Sequence, residues 1–114
     1  MKSSFQFSQL LECLSLRFVA LSISLLNEGK SEDCFSILCC IEKVTSVCDC
    51  ANLRVFLFNN FGCYYRRALN FQIALSYLYQ AQKLVLSSGQ RQYHGLTLMN
   101  ISALLSQLKE FAYC

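Results

Sequence analysis

The sequence predicts an all-α fold, a solenoid of helical hairpins about two and a half repeats long. Three observations carry that expectation. The 114 residues are 54% hydrophobic and include no Pro and only four Gly, a composition suited to long unbroken helices rather than to a turn-rich β-sandwich. A pattern of large and small residues recurs with a step of 40: Leu21-Ser22-x2-Leu25, Phe61-Gly62-x2-Tyr65 and Ile101-Ser102-x2-Leu105. Three residues upstream of each pair stands another apolar residue, Phe18, Phe58 or Leu98, so each segment has one apolar helical face with a nearly bare position in it.

The elements follow in order. A first helix over 4–28 ends at Asn27-Glu28-Gly29, and a second over 31–48 starts at Ser31 with Glu32 and Asp33 behind it. Its apolar face is Cys34, Leu38 and Ile41. A third helix over 51–68 carries the Gly62 pattern, and a fourth over 70–87 answers with Phe71, Ala74, Leu78 and Ala81. The small residue of each first helix precedes that of its second helix by 12 positions in both units, 22 to 34 and 62 to 74. Ser22, Gly62 and Ser102 should therefore sit where a neighbouring helix approaches closely, with Ala74 facing Gly62. Asp49 to Asn52 and Ser87-Ser88-Gly89 read as turns between units. A fifth helix over 91–108 and a sixth starting near 109 complete the pattern, within a single domain 1–114 whose units run about 15–54, 55–94 and a truncated 95–114.

At the second unit these residues resemble the tetratricopeptide repeat, whose signature runs W-x2-L-G-x2-Y and then A-x3-F. Phe58-x2-Phe61-Gly62-x2-Tyr65 and Ala74-x3-Leu78-x2-Ala81 stand in those places, and the likeness extends from about residue 15 to the end. The step of 40 is similar to the extended repeats of kinesin light chain and of the spindle-orientation adaptors. Those carry an Asn before the Leu-Gly or Leu-Ala pair, as Asn59, Asn60 and Asn100 do here, whereas Ala20 departs from the pattern. The resemblance implies a cytoplasmic scaffold that holds an extended or helical protein segment in a concave groove. It implies that Asn60 and Asn100, and more weakly Asn59, grip peptide backbone, since an amide both donates and accepts. Phe56 and Met99 are expected to supply apolar contact, and Arg66 and Arg67, beside Cys63 on the same face, to meet acidic side chains. The chaperone-type dicarboxylate clamp is not reproduced. The alternative is a structural segment of a larger assembly that binds no free peptide, favoured by an apolar unit-one face of Leu16, Val19, Ala20, Ile23 and Leu26.

Other function classes have little in the sequence to stand on. The net charge of +3 is small for a nucleic-acid binder, although residues 51–114 hold six basic side chains and one acidic. In Tyr64-Tyr65-Arg66-Arg67 only Tyr64 is free of the repeat motif to stack on a base. With one His, no phosphate-binding loop and no close carboxylate pair beyond Glu32-Asp33, no enzyme activity and no cofactor are expected. The eight cysteines sit in a core-rich chain, unlike a disulfide scaffold, and are expected reduced and mostly buried. Cys48-Asp49-Cys50 is the one close pair with metal-binding potential, and it lacks partners at a zinc spacing. The apolar run Phe18 to Leu26 lacks a cleavage site and is too short to span a bilayer, so no signal peptide and no membrane are expected. Residues 96–108 should leave an apolar stripe uncovered, which points to a longer array or to self-association, the alternative being a last helix that folds back over it.

Overall fold

Five helices account for nearly all of the chain: α1 Lys2–Asn27, α2 Ser31–Thr45, α3 Ala51–Arg67, α4 Phe71–Ser88 and α5 His94–Ala112. The structure, a computed structural model, describes residues 2–46, 50–89 and 91–112, with side chains for 9–46, 50–89 and 91–110. No strand occurs among the described residues. The five expected helices are present, but the expected sixth is not: α5 continues through Ala112, because nothing between Leu108 and Ala112 stops a helix. At its other end α5 begins at His94, three residues later than expected, after a turn at Gln92 and Tyr93.

The two hairpin turns are alike. After α1, Gly29 takes a left-handed φ of 82°, Lys30 N–H donates to Leu25 O at 2.8 Å and Gly29 N–H to Leu26 O at 3.1 Å. Forty residues on, Leu69 takes φ 62°, Asn70 N–H donates to Tyr65 O at 2.9 Å and Leu69 N–H to Arg66 O at 3.0 Å. Both are Schellman closures, which use up the last carbonyls of a helix. Glycine enters the left-handed region freely, whereas a leucine there is strained by its Cβ. Leu69 is 60% exposed and so gains little from burial. Leu69→Gly is expected to stabilise the fold by about 1 kcal/mol, read as a rise of a few degrees in melting temperature. The start of α2 differs from expectation: Ser31 is its first residue and no side chain caps it, while Glu32 and Asp33 occupy the first turn and suit the positive end of the helix dipole.

The step of 40 also governs burial. The buried residues of α2 are Cys34, Leu38, Ile41 and Thr45; those of α4 are Ala74, Leu78, Ala81 and Val85, each 40 further on. Gly62 is buried against α4, where its nearest neighbour is Leu78: a Cβ at position 62 would lie 2.7 Å from Leu78 Cδ2. α1 packs on α2 and α3, and α3 packs in addition on α2, α4 and α5; α4 packs on α5, while the backbones of α2 and α4 do not approach closely. The main core lies between α1, α2 and α3, around Val19, Leu38, Leu53, Leu57 and Phe61. Smaller clusters join α4 to α5 through Ala74, Leu78, Ile101 and Leu104, and α3 to α4 through Val55, Ala81 and Val85.

Aromatic rings tie the middle together. Phe35 of α2 meets Tyr64 at 5.0 Å and Phe61 at 6.3 Å between centroids, and Tyr77 of α4 stacks on Phe61 at 4.8 Å and on Tyr65 at 5.7 Å. Each such pair adds about 0.5–1.5 kcal/mol beyond its buried area. Tyr64, expected to be free for stacking on a base, is committed to this column. The molecule measures 57 × 31 × 18 Å. α1 itself is long and apolar enough, by length and composition alone, to cross a membrane over Gln9–Asn27. The nine-residue run beginning at Phe18 therefore understates the apolar segment, which continues through Leu10, Leu11 and Leu14.

Candidate binding groove

α1, α3 and α5 lie side by side, so positions 40 apart form rows across them: Leu16, Phe56 and Leu96; Ala20, Asn60 and Asn100; Ile23, Cys63 and Ala103; Asn27, Arg67 and Gln107. Of these residues Ala20, Asn27, Arg67, Leu96 and Ala103 are exposed, Asn60 is buried and the others are half-buried. In unit one Leu16 and Ile23 are half-buried and Ala20 is exposed, whereas Val19 and Leu26, expected on the same face, are buried in the core. The open face of that unit is therefore narrower than expected.

The asparagines are spent largely on the fold. Asn59 is 1% exposed; its Nδ2 donates to Val55 O and to Thr97 Oγ1, both at 2.9 Å, and its Oδ1 accepts from Asn100 Nδ2 at 2.9 Å. Thr97 Oγ1 in turn donates to Tyr93 O at 2.8 Å. Both amide hydrogens of Asn59 are thus used within the fold and its burial closes it to a ligand, while it joins α3 to α5. Asn60, 3% exposed, donates to Phe56 O at 2.7 Å, one turn back on its own helix. Asn100 is half-buried with its amide nitrogen committed to Asn59. A peptide-gripping role for Asn59 does not fit these partners, and Asn60 offers little surface for one.

The remaining expected site residues divide. Phe56 stacks on Tyr93, with centroids 5.0 Å apart, at the α3–α5 junction, so only part of its ring faces outward. Met99 is 69% exposed, but it lies off the rows, on the outer side of α5. Arg67 donates from Nη1 to Leu26 O at 3.2 Å and from Nη2 to Asn27 Oδ1, closing the C-terminal end of α1 across the gap between units. Arg66, half-buried, makes no ion pair; Lys30–Glu28 at 3.6 Å is the one such pair among the described residues. Arg66, Arg67, Leu69 and Gln107 line a cleft of about 320 Å³ where α3 and α5 end. Near it, burial pushes the Cys63 thiol up, against the opposing pull of Arg66 and Arg67, which favours the neutral thiol.

One feature escaped the sequence reading. A groove of about 390 Å³ runs between α1 and α2, lined by Leu11, Leu14, Phe18, Ile37, Cys40 and Val44 among others. The same place 40 residues on, about 410 Å³, is lined by Arg54, Phe58, Gln80, Lys83, Leu84 and Ser87. The hairpin geometry thus tolerates polar residues there, and unit one is apolar by sequence choice. Leu11 and Leu14 were the signal, and they precede the stretch that matches the repeat.

Six cysteines are described and all are free thiols, but Cys34 alone is buried, contrary to the expectation of mostly buried sulfurs; Cys13 and Cys40 are exposed. Cys48 and Asp49 lie outside the described residues, and no cluster of three or more metal-ligating side chains occurs among the described ones. His94 borders a cleft of about 520 Å³ with Val85, Leu86, Gly89, Arg91 and Gly95, none of them a nucleophile or a carboxylate. No family model matches the chain, and neither a curated protein nor a solved structure matches it.

Proposed function

We propose that the chain is a tetratricopeptide-like solenoid that binds a segment of another protein across α1, α3 and α5, with no catalytic role. The observation that carries this reading is the cleft at the ends of α3 and α5, which holds Arg66 without an ion pair beside the partly exposed rows of α1, α3 and α5. The step of 40 in burial and in hairpin turns supports the repeat half of the reading. The ligand is an extended or helical segment that lays apolar side chains on Leu16, Ile23 and the outer part of Phe56 and sets an acidic group at Arg66. Asn100 Oδ1 and the exposed flank at Ala20 and Ala103 frame its path. The protein works in the cytoplasm as a scaffold.

A peptide library displayed against the purified chain tests this. Acidic-apolar segments are expected to be enriched, and Arg66→Glu to weaken them about tenfold at low salt and less at high salt. Lys83→Glu, on the far side of α4, should leave binding unchanged. Binding that survives Arg66→Glu and Ala20→Glu but is lost on Lys83→Glu would place the ligand on the convex side and overturn the assignment.

A further inference from the structure

The α3–α4 hairpin holds a second concave surface, and the charge around it is of one sign. Residues 51–109 contain six basic side chains and no acidic one. Two of the six, Arg54 and Lys83, line the cleft of about 410 Å³ between α3 and α4, together with Phe58, Gln80, Leu84 and Ser87. Arg54 and Phe58 stand two positions from Phe56 and Asn60, about 200° round the helix, so the cleft opens on the side of α3 away from the groove. Among the described residues neither cation is in an ion pair, and no acidic side chain lines the cleft. Gln80 Nε2 donates to Ser76 Oγ at 3.4 Å and Ser87 Oγ to Leu84 O at 3.3 Å, which leaves Arg54, Lys83 and one amide hydrogen of Gln80 as donors for a ligand.

Unit one is the internal comparison. Forty residues back, Phe18, Lys43 and Val44 match Phe58, Lys83 and Leu84 in kind, whereas Leu14 and Cys40 stand in place of Arg54 and Gln80. The apolar floor therefore belongs to the repeat, and the guanidinium and the amide are particular to unit two. A fork of N–H donors beside an ammonium, over an aromatic ring, suits an anion with an apolar body.

We propose that this cleft binds a phosphate monoester carried on an aromatic ring, the phosphotyrosine side chain of a partner protein. Such a group holds about two negative charges at neutral pH and three acceptor oxygens, which matches two cations, whereas a carboxylate leaves one cation unmatched. The Arg54 guanidinium takes two phosphoryl oxygens side by side, and the Lys83 ammonium acts as a point charge. The ligand ring lies against Phe58 in an offset stack, with Leu84 at its edge. Gln80, Lys83 and Ser87 are exposed, so a ring still attached to a peptide chain can enter. Phosphoserine reaches the cations but leaves Phe58 bare. The site shares no residue with the groove and does not depend on it.

The first probe is phenyl phosphate, titrated into the full chain up to about 10 mM while backbone amide signals of residues 54–58 and 80–87 are followed. Saturable shifts there are expected, with benzoate and inorganic phosphate binding about tenfold more weakly. Arg54→Leu installs the unit-one residue, which the hairpin already accepts, and should weaken binding about tenfold. Arg54→Gln gives the same reading if the leucine alters helicity. Lys109→Gln removes a charge on α5 and should leave binding unchanged. A short alanine–serine peptide with one phosphotyrosine should bind at the same residues about tenfold more tightly than its tyrosine or phosphoserine form. Absence of shifts with phenyl phosphate, or binding indifferent to both Arg54 variants, overturns the proposal. Inorganic phosphate as tight as phenyl phosphate overturns it by denying the ring a role, and adenosine monophosphate tighter than the phosphotyrosine peptide overturns it in favour of a nucleotide.

Discussion

Gly62→Leu should destabilise the protein by about 3 kcal/mol or more, measured as a lower urea midpoint and a melting temperature down by ten degrees or so. The first atom added at position 62 already falls 2.7 Å from Leu78 Cδ2 and 2.8 Å from its Cγ. Leu78 is 1% exposed and sits between α3, α4 and α5, so it cannot swing aside into solvent. The whole α4 helix must move instead, and the Tyr77 ring that stacks on Phe61 and Tyr65 moves with it. Gly62→Ala tests the same contact with a built-in counterweight. Alanine favours a helix interior over glycine by about 1 kcal/mol, so any net loss of stability in that variant measures the clash. A melting temperature unchanged by Gly62→Leu would remove the close approach of α3 and α4 as an organising contact.

Asn59→Ala and Asn60→Ala should part company, although the residues are neighbours. Removing the Asn59 amide leaves Asn100 Nδ2 without its acceptor and the buried Thr97 Oγ1 without one donor, and opens a small void. A loss of about 2–3 kcal/mol is expected. Asn60→Ala breaks one bond to a carbonyl of its own helix and gains helix propensity, so the net change should stay below about 1 kcal/mol. Chemical denaturation of the two variants side by side checks this, and equal losses would mean that the α3–α5 network carries no special weight.

The contrast also marks where sequence reasoning stopped. The step of 40, the bare positions at Ser22 and Gly62, and the buried sets of α2 and α4 were legible because helical periodicity and residue size are local properties. Which asparagine faces inward was not. Consecutive helix positions differ by about 100°, and the choice between Asn59 and Asn60 depends on where α5 docks, which only Thr97 and Asn100 reveal. Arg67 read as a groove cation because its partners, Leu26 O and Asn27 Oδ1, lie 41 and 40 residues away and are unremarkable in sequence. Leu69 gave no hint of a left-handed turn, since the usual sign of one is glycine, and α5 outran its expected end because its last residues contain no breaker.

The hairpin of α1 and α2 joins the rest of the molecule mainly through α3, and the backbones of α2 and α4 do not approach closely. Free energy is consequently stored in successive junctions rather than in one shared interior. The α1–α2 hairpin can detach and leave α3, α4 and α5 assembled, and α5 can detach at the cost of the asparagine network and its short apolar seam. Amide protons should therefore fall into tiers of protection, slowest in α3 where the junctions converge and faster toward both ends. A ligand lying across α1, α3 and α5 would bridge those junctions, so binding and the cooperativity of unfolding become a single coupled quantity.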